Sequence, residues 1–403
     1  MDFQHYFATR ASRMKASEIR ELLKLLDRPG VISFAGGIPD ASYFPAKQFG
    51  AAFQDALNSE TSGTALQYSI SEGFRPLRQW LAAEMGKIGV PCTEDNIMIT
   101  SGSQQALDYL GKMLLSPGDT ALVNWPTYLG ALGAFNAYEP RYDKLSINGN
   151  RSAADFASDA EAAGGRVKFA YLSADFSNPT GETVDRRGRE NLIDTAEELD
   201  CVIIEDAAYQ SLRYDGEVIP PILALEIERK GSIEECRTIY CGSFSKTLSP
   251  GLRIGWVCAA EPLISQMVLL KQAGDLHVST VNQMAMAQVA EAYFDEHVDT
   301  LHRVYSERRD AMLAALVEMM PEGVEWTKPE GGMFVWMTLP AHVDTTEVFK
   351  IAIETENVAF VPGHSFFADG SGRNTMRLSF SCADQETIRE GIRRLSKVIK
   401  TVL

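Results

Sequence analysis

The chain predicts an α/β fold: a large, mostly parallel sheet covered by helices on both faces, followed by a smaller α+β unit. Two observations carry that expectation. Through the middle of the 403 residues, short apolar runs rich in β-formers alternate with longer amphipathic runs, the pattern of strands joined by helical crossovers. From about residue 290 the order changes to a long helical stretch, three strand-like runs and a final helix. A third observation, 45% hydrophobic and 23% charged residues, is that of a folded chain with a large core and room for two domains.

The expected strands of the first unit are residues 96–100, 121–124, 167–172, 201–205, 238–241 and 254–258. Helical patterns at 104–115 and 187–199 separate several of them. Ligands on such sheets gather at the carboxyl ends of the strands. In the second unit a helix is expected over about 290–320, then strands at 333–337, 358–361 and 375–380. The last helix, 385–402, spaces Ile388, Ile392, Leu395, Val398, Ile399 and Val402 along one face, which makes them core residues. The division that follows is an N-terminal segment, 1–45, joining the small domain, a large domain, 46–290, and a small C-terminal domain, 291–403.

Composition excludes several functions. A net charge of −16 argues against nucleic acid or an anionic membrane as partner, so any phosphate must be held by a local set of donors. The sequence contains no run of eighteen apolar residues, and the N-terminus, with Asp2, His5, Arg10, Arg13 and Lys15, lacks an apolar leader core. The six cysteines form no C-x-x-C pair, which favours thiols in a reducing cytoplasm over disulfides. The histidines do not cluster at metal-binding spacing; His297 and His302 are expected on a helix surface, and no metal is expected.

The most informative stretch runs from Ser243 to Gly255, S-F-S-K-T-L-S-P-G-L-R-I-G. Lys246 lies among small hydroxyl residues, and Arg253 follows seven positions later. A lysine that loses its proton through burial and nearby cations can join an aldehyde as a Schiff base. An arginine on the same loop can grip a phosphate bidentately. The strand at 201–205 exits into Asp206, with Tyr209 beyond it. A carboxylate there is costly unless a cation, such as a protonated ring nitrogen, waits for it; capping a helix is its other use. Thr100-Ser101-Gly102-Ser103-Gln104-Gln105 is a strand-to-helix turn, a natural phosphate site, though Ser103 could serve as a plain cap. Tyr128, after another strand, could stack on a flat ring or fill core. Asn178-Pro179-Thr180-Gly181 is a turn whose Asn178 can donate to a phenolate.

The order G-S-Q-Q, N-P-T-G, D-x-x-Y, S-x-S-K and R-x-G resembles fold-type-I pyridoxal-phosphate enzymes, the aspartate-aminotransferase superfamily. It is most similar there to the class I/II subgroup of α-aminoadipate, kynurenine and multi-substrate aminotransferases. Residues 32–39 (I-S-F-A-G-G-I-P), 66–73 (L-Q-Y-S-I-S-E-G) and 377–380 (R-L-S-F) add to the likeness, which runs from about residue 10 to the end. One departure is Asp175-Phe176-Ser177 before Asn178, where asparagine, phenylalanine, glutamine is more usual. The resemblance implies a seven-stranded sheet and pyridoxal 5′-phosphate joined to Lys246. Asp206 would meet the ring nitrogen, Asn178 and Tyr209 the phenolic oxygen, and Tyr128 would stack on the ring. Ser103, Gln104, Ser243, Ser245 and Arg253 would hold the phosphate. Tyr68 would reach the phosphate of a neighbouring subunit, which implies a homodimer with shared active sites. The N-terminal segment would cover the substrate pocket.

Arg377, heading an apolar strand, is the expected clamp for an amino-acid carboxylate, an internal salt bridge being its other use. The resemblance adds Gly37 and Asn178 to the substrate side. Arg20 could meet a distal carboxylate or lie on a solvated face. The implied reaction moves an amino group from a broad range of L-amino acids (aromatic, aliphatic or aminoadipate-like) to a 2-oxo acid such as 2-oxoglutarate, by a ping-pong course. A decarboxylase, β-lyase or synthase on the same fold, and more remotely a cofactor-sensing regulatory domain, are the alternatives.

Overall fold

The computed structural model describes residues 3–14, 30–58, 60, 62–147, 149 and 151–403. Thirteen strands occur among them: β1 (Ile32–Ser33), β2 (Ile97–Thr100), β3 (Thr120–Val123), β4 (Arg141–Lys144), β5 (Val167–Leu172), β6 (Val202–Asp206), β7 (Thr238–Ser243), β8 (Gly255–Cys258), β9 (Glu325–Trp326), β10 (Phe334–Thr338), β11 (Val358–Ala359), β12 (Val361–Pro362) and β13 (Thr375–Ser379). Seven form the central sheet in the order β2-β8-β7-β6-β5-β3-β4. All of its pairs are parallel except those of β8, which runs against both β7 and β2.

Burial on both faces explains the near-continuous apolar strands. In β5, Phe169 and Tyr171 enter one core with Leu107, Leu110 and Phe135. Ala170 and Leu172 enter the opposite core with Leu192, Ile193 and Ile203. The crossover helix Arg186–Glu198 starts at Asp185, whose carboxylate accepts the Gly188 N–H at 2.7 Å, a side-chain cap on the first turn. Leu192, Ile193 and Ala196 are its buried residues on the apolar side.

The C-terminal part holds an antiparallel sheet, β12-β13-β10-β9, and the parallel pair β1-β11. The helix Gln385–Val402 is capped by Asp384 and buries Ile388, Ile392, Leu395, Val398 and Ile399, as its spacing predicts.

Three differences from the sequence expectations have physical causes. β4 was not anticipated because Arg-Tyr-Asp-Lys is a polar, partly exposed edge strand with no apolar signal. The long helix spans Thr280–Met319, starting ten residues before its expected place and running without a break through position 290, where the domain division was drawn. The run at 358–361 is two strands, because β11 pairs with β1 and β12 with β13, and Phe360 between them is buried.

Candidate active site

The carboxyl ends of the parallel strands open onto one cavity of about 330 Å³. Because β8 is antiparallel, its first residue, Gly255, lies at that same end, paired with Ser243 of β7 and Thr100 of β2. The β7–β8 hairpin thereby delivers Lys246 and Arg253 to one mouth. Gly37, Ser103, Gln104, Tyr128, Asn178, Asp206, Tyr209, Ser243, Ser245, Lys246, Arg253 and Arg377 all line it. Tyr68 does not: it is 79% exposed, with its ring edge-on to His277. Arg20 lies outside the described residues.

At one end the turn between β2 and the helix Ser103–Leu114 approaches Arg253. Gly102, not Ser103, occupies the helix cap, with φ +75° and no side-chain cap, so the first helical N–H groups stay available. A Cβ on Gly102 would fall 2.3 Å from Arg253 Nη2, and one on Gly255 would fall 2.7 Å from Gly102 C and Ser103 N. Both glycines are needed for this approach. Arg253 has φ +56°, the strained backbone found at functional sites. Its guanidinium donates to Pro250 O at 3.1 Å and Ser101 O at 3.3 Å. Ser243 and Ser245 hydroxyls bond at 2.9 Å, and Gln104 is fixed by Gly130 O at 2.7 Å.

In the middle, Asp206 ends β6, and no helix follows for it to cap. Its Oδ2 accepts from Tyr171 OH at 2.7 Å, and its main-chain oxygen accepts from Ser173 Oγ at 2.9 Å. Its Oδ1 is buried without a partner. Burial raises its pKa, while the Tyr171 bond, the Ala208 main-chain N–H and the Lys246 charge pull it back. The Lys246 amine donates to Gly37 O at 2.8 Å. Burial, then the neighbouring Arg377, lower its pKa from 10.5 to about 8, which frees the amine as a nucleophile and base. Asn178 Nδ2 reaches the Tyr209 hydroxyl at 3.4 Å. Tyr128 precedes the helix Leu129–Asn136 and places its hydroxyl 3.4 Å from Gln104 Oε1.

At the far end Arg377 is 2% exposed. Its guanidinium donates to Asn178 Oδ1 at 2.7 Å and Ala35 O at 2.8 Å and lies 4.3 Å over the Phe334 ring. No carboxylate pairs with it among the described residues, its Nε has no partner, and burial pushes its pKa down to about 10. An internal salt bridge does not explain it. The sequence reading missed Tyr171 and Ser173, which hold Asp206. A tyrosine in a strand buried on both faces was the available signal, since its hydroxyl needs a partner. Asp175, the departure noted above, is buried between Arg189 Nη2 at 2.8 Å and Arg213 Nη2 at 3.0 Å.

A hairpin lysine and arginine at the carboxyl edge of such a sheet are the arrangement expected of a fold-type-I pyridoxal-phosphate enzyme, and solved structures of that fold cover this chain throughout. The chain belongs to the class I and II aminotransferases, whose family model matches residues 30–395. It is similar to aromatic-amino-acid aminotransferase 1 of Thermococcus litoralis, 44% identical over 99% of this chain and 95% of the relative. It is also similar to the solved α-aminoadipate aminotransferase of Thermus thermophilus with N-(5′-phosphopyridoxyl)-L-leucine, at 39% identity and TM-score 0.88, covering 100% of this chain and 99% of that one. The solved kynurenine aminotransferase of Pyrococcus horikoshii matches at 42% identity and TM-score 0.91, covering 100% and 98%. The protein is thus an aminotransferase that uses pyridoxal phosphate. The residues present fit that group: Asp206 Oδ1 wants a donor, and the two glycines keep the Ser101–Ser103 turn open beside Arg253.

Proposed function

We propose that this aminotransferase takes its amino group from a broad range of L-amino acids, aromatic, aliphatic or aminoadipate-like, and passes it to 2-oxoglutarate in two half-reactions. The observation that carries the breadth is the cavity lining. Its cations are Lys246, Arg253 and Arg377, and beyond the polar residues assigned to the cofactor the lining includes Gly36, Gly37, Leu129, Ala208, Pro250 and a 58% exposed Ile38. One arginine is set for the α-carboxylate, and the walls around the side chain carry no further fixed charge among the described residues. The names of the similar proteins, aromatic-amino-acid, α-aminoadipate and kynurenine aminotransferases, point the same way.

When bound, pyridoxal phosphate supplies an electron-withdrawing ring that acidifies the substrate's α-carbon. Asp206 Oδ1 would accept a hydrogen bond from the protonated ring nitrogen and keep the proton on the ring, Asn178 and Tyr209 would face the phenolic oxygen, and Tyr128 would stack on the ring. Ser103, Gln104, Ser243, Ser245 and Arg253 would hold the phosphate. Arg377, with Asn178 and Gly37 beside it, orients the donor by its carboxylate. Lys246 Nζ takes the α-proton and gives it up again one step later, and a pKa of about 8 suits both tasks near neutral pH. Tyr68 fits service to a second copy's phosphate in a homodimer, since it stands exposed outside its own cavity. The division into a segment at 1–45, a large domain to 290 and a small domain beyond stays part of this reading, with the segment covering the substrate pocket. Six free cysteines suit a reducing cytoplasm. No helix among the described residues is long and apolar enough to cross a membrane.

The test is to follow the cofactor's absorbance while amino acids are added one at a time, with no 2-oxo acid present. Conversion to the amine form with one equivalent of 2-oxo acid ranks the donors; carbon dioxide or ammonia instead would overturn the reaction type. Arg20→Ala should raise the KM for 2-oxoglutarate, and unchanged kinetics would remove Arg20 from the distal-carboxylate role.

A further inference from the structure

Behind the Ser101–Ser103 turn lies a lysine that the reaction does not use. Lys271, in the last turn of the helix Glu261–Gly274, has a side chain with 0% exposure. Its ammonium donates to Gln105 Oε1 at 2.8 Å and to Asp275 Oδ1 at 2.9 Å, and lies 5.9 Å from the Tyr109 ring centroid. Burying an ammonium is costly, and one partly exposed carboxylate is thin compensation.

The donor and acceptor pattern shows what the burial achieves. Gln105 Oε1 accepts a second bond, from Ser101 N–H at 2.8 Å, while Gln105 Nε2 donates to Asp275 Oδ2 at 2.7 Å. An ammonium can only donate and a carboxylate can only accept. The Lys271–Asp275 pair therefore allows the Gln105 amide one orientation, oxygen toward Ser101. The Ser101 carbonyl in turn receives Arg253 Nη2 at 3.3 Å. Hydrogen bonds lead from Lys271 through Gln105 to the N–H of Ser101, and the carbonyl of that same residue, next to Gly102, receives the guanidinium.

We propose that Lys271 is a positioning residue for the cofactor's phosphate, acting through Gln105 on the Ser101–Ser103 turn. The inference rests on the assignment of the phosphate to Ser103 and Arg253. Its signature is selectivity: weakening the turn harms a ligand with a phosphate and spares the same ring without one. The experiment titrates cofactor-depleted, full-length enzyme with pyridoxal phosphate and, separately, with pyridoxal. Lys271→Met and Gln105→Met are each expected to weaken pyridoxal phosphate about tenfold and to leave pyridoxal within about twofold. Equal weakening of both ligands, or of neither, overturns the proposal. If Lys271→Met fails to fold, Gln105→Met, which keeps the Lys271–Asp275 pair, decides alone. Arg253→Met is the control. If it changes the selectivity and the other variants do not, Lys271 fails while the phosphate assignment stands; if it changes nothing, both fall.

Discussion

The two ends of the cavity are built differently. At the proposed phosphate end, Ser101, Gly102, Ser103, Gln104, Arg253 and Gly255 come from strand ends, turns and a helix start beside one sheet, and the side chains of Gln104, Arg253 and the neighbouring Ser243–Ser245 pair are held by protein groups. At the substrate end, Arg377 is held by Asn178 and Ala35, partners 199 and 342 residues away in the chain, and one of its N–H groups has no partner. The first end is a cradle whose side chains are held in place around open helix-start N–H groups. The second, the proposed substrate end, is an assembly of three distant segments that leaves one Arg377 N–H unmet. Binding energy at the cradle is available for anchoring, whereas bonding at the far end is available for orienting the donor.

Substitutions can break that contrast in order of severity. Lys246→Ala removes the proton carrier between the two ends, and turnover should fall by at least about a thousandfold while cofactor still binds; near-normal steady-state rates would refute its role. Arg377→Lys should lower kcat/KM for amino acids about a hundredfold, because a point charge cannot replace the planar fork, and cofactor affinity should hold. If cofactor affinity fell as far as kcat/KM, the two ends would not be separable. Gly255→Ala forces a Cβ against Gly102 and Ser103 and should cost about 1–3 kcal/mol in thermal unfolding, with weaker pyridoxal phosphate binding and an undisturbed Arg377 end.

The smallest effect is a dependence on pH. Lys246 in the cofactor-free fold has its pKa lowered to about 8 from 10.5, so between those values the unfolded chain carries more protons than the native one. Stability should therefore rise as pH climbs through that window, and below about 8 the cost of the buried charge is fully present. Lys246→Met should stabilise the cofactor-free protein at pH 7 by an amount on the order of 1–3 kcal/mol, a gain that disappears by pH 10.5. Calorimetry showing a flat difference across that range would contradict it.

The cradle was the more legible end because local rules write it. A glycine before a helix start, a serine-flanked lysine and an arginine-x-glycine each mark a turn, and the resemblance placed them in one site. The strands at 167–172 and the helix at 385–402 were legible for a similar reason, as unbroken apolar periodicity. Residues that act through non-local bonds left no such trace. Tyr171 lies in the 167–172 run as one more strand residue, and nothing in the sequence sets Lys271 apart. β4 failed for the opposite reason: an edge strand needs no apolar pattern. The split at Phe360 was invisible because pairing partners, not composition, decide where one sheet stops and another begins.

The reversal of β8 has one further consequence. It returns the chain to the edge it left, so that Lys246 and Arg253 share one mouth and residues 246–253 work as a ruler between the proposed proton carrier and the proposed phosphate grip. An insertion there would misregister the proposed catalyst and anchor together, whereas Ile38 and Leu129 line the cavity outside that stretch. Attempts to breed new substrate preferences into this scaffold should find their room at those two positions and none in the ruler.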